Sequence, residues 1–300
     1  MSTKSKVLFS YGILLALYTV GTLLIPPPDG TLQRYHITLA QMRMLDLTII
    51  VLYAGIWLCA LYGFYTLVDY LKLIRKNKDG KALAKISIGI GLLAYWLPIS
   101  SNFSLYTNWL VEMHPSLTAP VGVLQNYVML AIPLAGFIFI SIGARKLGDL
   151  TKMRISLRDV NLLIISTIVI GITYAHLIVS TENRLNSTYH MKPITMLVTL
   201  AFPYIYMWGI GLLAVYEINH YRLKVPGVVY RRSWRTLAMG LGAIITVTIL
   251  LQYLVTISEK LTRLSLNWIL IIVYILLIFM AVSYVLIAMG VRTLKKIEEV

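Results

Sequence analysis

Residues 268–291 read WILIIVYILLIFMAVSYVLIAMGV, an unbroken apolar run with no Asp, Glu, Lys or Arg. A bilayer core of about 30 Å takes roughly 20 helical residues to cross, so this stretch spans it as a helix. A barrel strand would be shorter and would alternate polar with apolar side chains. Arg292, Lys295 and Lys296 follow at once, where the lipid headgroups begin.

The same reading extends upstream to runs at 7–25, 47–68, 86–102, 121–144, 162–180, 194–216 and 236–257, all free of formal charge. The run at 86–102 is the shortest and borrows residues 82–85 by letting Lys85 snorkel. The fold expected is therefore all-α: a polytopic membrane protein of eight transmembrane helices forming one integral membrane domain over 1–300. Composition agrees. Hydrophobic residues make up 58% of the chain and charged ones 13%, against about 45–50% and about 25% in soluble domains. That balance excludes a soluble globule, a disordered chain and a collagen. The single cysteine, Cys59, excludes a disulfide scaffold and a thiolate metal cluster.

The charges outside the runs set an orientation. With the N-terminus inside, the inner segments hold 21 of the 27 Lys and Arg and the outer ones 6. Acidic residues divide 7 to 5, so the formal charge of +15 separates into +14 inside and +1 outside. This is the positive-inside bias. It predicts a cell-membrane protein with both termini cytoplasmic. Lys4 and Lys6 ahead of an apolar run resemble a signal peptide, but Pro26, Pro27 and Pro28 follow instead of a small-residue cleavage site, so the run is read as a retained first span.

An internal repeat is legible. Ile140, Gly143, Arg145 and Leu147 recur as Ile287, Gly290, Arg292 and Leu294, each 147 residues later, and the Gly89-x-Gly91 pair recurs 151 residues later as Gly240-x-Gly242. The expected arrangement is two four-helix halves, 1–150 and 151–300, inserted in the same orientation as parallel repeats. A fainter echo, Gly63 to Leu67, points to four two-helix hairpin units.

The spans exclude several activities by what they lack. They contain no lysine for a retinal Schiff base, and His176 is their only histidine, so a bis-histidine haem site has no partner. No carboxylate or arginine is available inside them for ion coupling or voltage sensing. Phosphate-loop, zinc-protease and nucleophile-elbow patterns are missing. No catalytic residue, metal site or cofactor is assigned. His36, Asp46, Glu112 and His114 are the ionisable outer groups from which a membrane enzyme would be built, but Glu112 and His114 are two apart and do not share a helix face.

Polar and aromatic residues gather toward the outer ends of the spans. Tyr95, Asn102, Asn126, His176, Tyr204 and Gln252 are the candidate ligand-binding set, with Pro98, Pro133 and Pro203 positioned to break helices and expose carbonyls toward it. An uncharged lining suits a neutral or amphiphilic small molecule or a lipid, bound or transported through an outward-facing vestibule. A second reading treats the same residues as interfacial aromatics and interhelical glue, in a non-catalytic scaffold, anchor or sensor subunit with a membrane-protein partner. The clusters at 72–85 and 222–235 offer charge to anionic lipids. No segment suits nucleic acid. Arg43 and Asp46 are expected to pair at i, i+3 on a second helix that extends beyond the bilayer.

Overall fold

The computed structural model describes residues 3–25, 38–74, 78–150, 202–224, 227–261 and 266–298, together with residues 161 and 165. These form seven long helices: α1 (Thr3–Leu24), α2 (Leu39–Ile74), α3 (Lys78–Met113), α4 (Thr118–Leu150), α5 (Phe202–Lys224), α6 (Val228–Leu261) and α7 (Leu266–Glu298). A single 3-10 turn, Pro115–Leu117, joins α3 to α4. Six of the seven, all but α5, carry stretches long and apolar enough to cross a membrane. The chain is a helical membrane protein. Apart from residue 165, the run at 162–180 lies outside the described residues, and α5 covers only the later part of the run at 194–216.

The helices overshoot the apolar runs because their ends are built to continue. α2 holds 36 residues, about 54 Å at 1.5 Å per residue. Its start is a capping box: the Thr38 amide donates to Gln41 Oε1 at 2.8 Å, and the Gln41 amide donates to Thr38 Oγ1 at 3.2 Å. One turn on, Arg43 and Asp46 form the expected pair at 3.7 Å, and Arg43 also donates to the Thr22 carbonyl at 2.5 Å, tying α2 to the end of α1.

The prolines do not break their helices. α3 runs through Pro98 and α4 through Pro133 without interruption, because neighbouring helices and side chains can resatisfy the backbone groups that proline releases. Pro203 is the second residue of α5, in the first turn, where a missing N–H costs nothing.

From α2 onward each helix packs on the next, α2 on α3, α3 on α4, α4 on α5, α5 on α6 and α6 on α7, and α7 closes the ring on α2; α1 lies against α2 and α3. Two antiparallel pairs dominate. In the first, a Cβ at Gly89 would sit 2.5 Å from the Gly136 carbonyl and 2.6 Å from Ile140, while one at Gly143 would meet Ile86 and the Ala82 carbonyl at 2.6 and 2.7 Å. In the second, Gly240 abuts the Ser283 carbonyl and Ile287, and Gly290 abuts Leu237 and the Ser233 carbonyl. The contacts of α3 on α4 thus recur between α6 and α7 at offsets of 151 and 147. Ile86, Ile140, Leu237 and Ile287 are all fully buried.

Gly89→Leu or Gly240→Leu should destabilise the protein by about 1–3 kcal/mol through overpacking against backbone. Gly12→Ala, which meets nothing within 4 Å, should leave the unfolding midpoint in detergent unchanged. Equal midpoints for all three variants would contradict the close-packed pairs.

Candidate functional site

α1 is the least embedded helix: 11% of its apolar stretch is buried, against 61% in α3. What buried contact it has is a polar and aromatic seam. On α1, Ser10, Leu14, Leu17 and Gly21 recur at helical spacing and share a face. Opposite them on α3, Tyr95 shares a 2.5 Å hydrogen bond with the Ser10 hydroxyl, Asn102 Nδ2 donates to the Leu14 carbonyl at 2.9 Å, and the Tyr106 hydroxyl donates to the Leu17 carbonyl at 2.9 Å. Residue numbers rise together along both helices, so α1 and α3 run parallel. Gly21 closes the seam, because a Cβ there would press on Leu105 and the Tyr106 ring.

Two of the six candidate residues can be placed in full. Tyr95 is half-buried and Asn102 is buried, two turns apart on α3. Asn102 Nδ2 also donates to the Pro98 carbonyl at 2.9 Å, and its Oδ1 is buried without a hydrogen-bond partner. Asn126, Tyr204 and Gln252 belong to α4, α5 and α6, and their side chains lie outside the described residues; His176 lies outside them altogether. The structure therefore brings Tyr95 and Asn102 onto one seam. Glu112 and His114 are exposed at the end of α3.

An aromatic cluster continues the seam into α2. The Tyr11 ring lies 4.5 Å from Tyr95 and 6.4 Å from Trp57, edge to face in both cases, Trp57 stacks on Tyr53 at 6.2 Å, and Tyr53 meets Tyr18 at 5.2 Å. Tyr284 belongs to the same buried cluster as Tyr11 and Trp57, and Tyr65 packs against it. Tyr11, Trp57 and Tyr284 were not singled out by reading the spans, since isolated aromatic residues in apolar runs look like packing. The available signal was an offset in the sequence: Tyr284 stands 147 residues after Phe137, the spacing that separates Gly290 from Gly143, and carries a hydroxyl where Phe137 has none.

A second group was missed for a different reason. The sixth run was ended at Tyr216 because Glu217 is charged, but α5 continues to Lys224 and Glu217 is only 3% exposed. Its neighbour His220 packs its ring 6.0 Å from Tyr216. Asp69, 148 residues earlier on α2, pairs with Lys72 at 3.2 Å and is partly exposed. No family model, curated protein or solved structure matches the chain.

Asn102→Leu removes both donated hydrogen bonds, and Tyr95→Phe removes the bond to Ser10, each worth about 1 kcal/mol net. Both variants should speed amide exchange in α1 while leaving α6 and α7 at wild-type rates, as read by hydrogen–deuterium exchange. Uniform protection of α1 in both variants would show that the seam does not hold it.

Proposed function

We propose that the chain binds or transports a neutral or amphiphilic small molecule or lipid along the seam between α1 and α3. The observation that carries this reading is the chemistry of the seam. Ser10, Tyr11, Tyr95 and Asn102 place hydroxyl, aromatic and amide groups inside the bundle, and α1 is free of formal charge from Val7 to Leu24 and α3 from Ile86 to Val111. Hydrogen-bonding groups are costly to bury in an apolar medium unless they are used, and uncharged ones recognise uncharged partners. Tyr95 and Asn102 anchor the proposed site; Asn126, His176, Tyr204 and Gln252 complete it as an outward-facing vestibule.

The architecture that goes with this reading is eight spans in two halves, 1–150 and 151–300, in the same orientation with both termini cytoplasmic. Its support is the recurrence of the α3–α4 contacts in α6–α7, and of the packing of α2 on α7 in that of α5 on α4. The uneven charge of the segments supports the orientation.

A scaffold or sensor subunit is the second reading, favoured by α1, whose Leu8, Phe9, Leu17, Val20 and Leu24 are all exposed and could meet a partner helix as well as lipid.

Orientation is tested by single cysteines in a Cys59→Ser background. Ser116→Cys should react with a membrane-impermeant maleimide in intact cells and Val228→Cys only after lysis; the reverse pattern would invert the topology. Mass spectrometry of natively purified protein tests the function. A stoichiometric uncharged amphiphile is expected, and a co-purifying subunit without one would favour the scaffold.

A further inference from the structure

Three polar atoms stand out among the described residues: the hydroxyls of Tyr11 and Tyr284 and the indole Nε1 of Trp57. The side chains are 3%, 1% and 2% exposed, and none of the three atoms has a hydrogen-bond partner within the protein. They come from three helices, α1, α7 and α2, and they converge. Tyr11 and Trp57 meet edge to face, and Tyr284 belongs to the same buried cluster, its carbonyl set against Gly63, six residues along α2 from Trp57. The neighbouring Tyr95 hydroxyl is already shared with Ser10 and does not satisfy them.

From these groups we infer a headgroup site for an uncharged amphiphile bearing a carbonyl oxygen, either the ester of a neutral glycerolipid or the ring carbonyl of a quinone. The inference rests on the ligand-binding reading above and names its chemistry. An indole N–H can only donate, and a tyrosine hydroxyl donates as well as accepts, so the ligand they share must present an acceptor. An anionic acceptor is disfavoured, because α2 carries no formal charge between Asp46 and Asp69 and α7 none before Arg292, and the cation nearest Tyr11 along α1, Lys6, is five residues away and exposed. α1 is embedded along one face only and exposes Leu8, Phe9 and Val20 on the rest. An apolar tail leaving the site past α1 would enter lipid directly, which suits an amphiphile better than a soluble solute.

The matching position in the other half separates packing from recognition. Tyr284 packs against Gly63, whose Cβ would lie 3.0 Å from the Tyr284 carbonyl, and Phe137 packs against Gly211 with its ring 3.2 Å from the corresponding position. Phe137 is fully buried. The matching position thus holds a buried ring with no hydroxyl, and the unpartnered hydroxyl of Tyr284 is a burial cost that Phe137 does not bear.

The test places the full chain in phosphatidylcholine nanodiscs containing a diazirine-tailed diacylglycerol, with peptide-level mass mapping after illumination. A saturable adduct on α1, α2 or α7 is expected. Competition by unlabelled diacylglycerol identifies the ester source, and competition by a decyl-substituted benzoquinone identifies the quinone. The Tyr11→Phe/Tyr284→Phe double variant should lose about tenfold in adduct yield, the scale of a hydrogen bond lost, with its unfolding midpoint kept or raised. Trp57→Phe should lower the yield in the same direction and serves if the double variant fails to fold. Unchanged yield in these variants would overturn the inference. A saturable adduct elsewhere, near Asn102 for example, would overturn it while the ligand-binding reading stands. Label spread without saturation over all lipid-facing helices, with no amphiphile in the purified protein, would overturn both.

Discussion

Backbone-to-backbone approach at glycine is the constraint on which this bundle depends. In lipid, helices gain little by hiding apolar surface from one another, since the acyl chains are as apolar as leucine, and association relies on van der Waals contact and hydrogen bonds. Contact is greatest where a missing Cβ lets one helix settle on the carbonyls of the next. Gly89 and Gly143 do this between α3 and α4, and Gly240 and Gly290 between α6 and α7. Gly63 brings α2 onto α7 through the Tyr284 carbonyl, and Gly211 brings α5 onto Phe137 of α4. Remove these approaches and Ile86, Ile140, Leu237 and Ile287, now fully buried, would lose the partners that bury them.

α1 is held by different forces. It has no glycine contact with a facing carbonyl, and Gly12 meets nothing within 4 Å. Its attachments are directional instead: Ser10 to Tyr95, the Leu14 carbonyl to Asn102, the Leu17 carbonyl to Tyr106, and the Thr22 carbonyl to Arg43. Helix carbonyls have a second lone pair available, so side chains can grip α1 without disturbing its own ladder. A ring closed by packing and a seventh helix fastened by hydrogen bonds differ in how they yield. Steric locks give way together, whereas separate hydrogen bonds can open one at a time. That difference puts the adjustable surface of the described bundle along α1.

Much of this was legible in the sequence because the bilayer reads like a ruler. Charge-free runs gave the helices, and the shared residues around Gly143 and Gly290 marked contacts that do recur. The Arg43–Asp46 pair followed from spacing alone. Boundaries were harder, because a helix does not stop where lipid stops: Thr38 and Gln41 cap α2 well before its apolar run begins, and α5 carries Glu217 past the point where charge was taken to end it. The prolines misled for a related reason, since side chains of neighbouring turns can take up what proline releases, as Asn102 does at the Pro98 carbonyl. Of the candidate site, Tyr95 and Asn102 were found as polar residues, but their partners on α1 are a serine and two backbone carbonyls, which no pattern of side chains announces.

The two pairs α3–α4 and α6–α7 share their packing but not their polarity, and that difference is informative. Along the matching positions, Ile86 stands with Leu237, Ile90 with Leu241, Leu93 with Ile244 and Leu147 with Leu294, every one of them fully buried. Packing has kept size and apolarity at these places. Tyr95 and Tyr284 break the rule: their counterparts are Thr246, exposed and bonded to the Gly242 carbonyl of its own helix, and Phe137, buried without a hydroxyl. Tyr95 meets α1 through Ser10, and Tyr284 lies on α7, which packs on α2. A chain needing only a stable bundle has no reason to keep a hydroxyl on either ring when the counterpart position packs without a buried one. That asymmetry in buried ring hydroxyls is the physical ground for proposing a site at the seam under α1 rather than between α6 and α7.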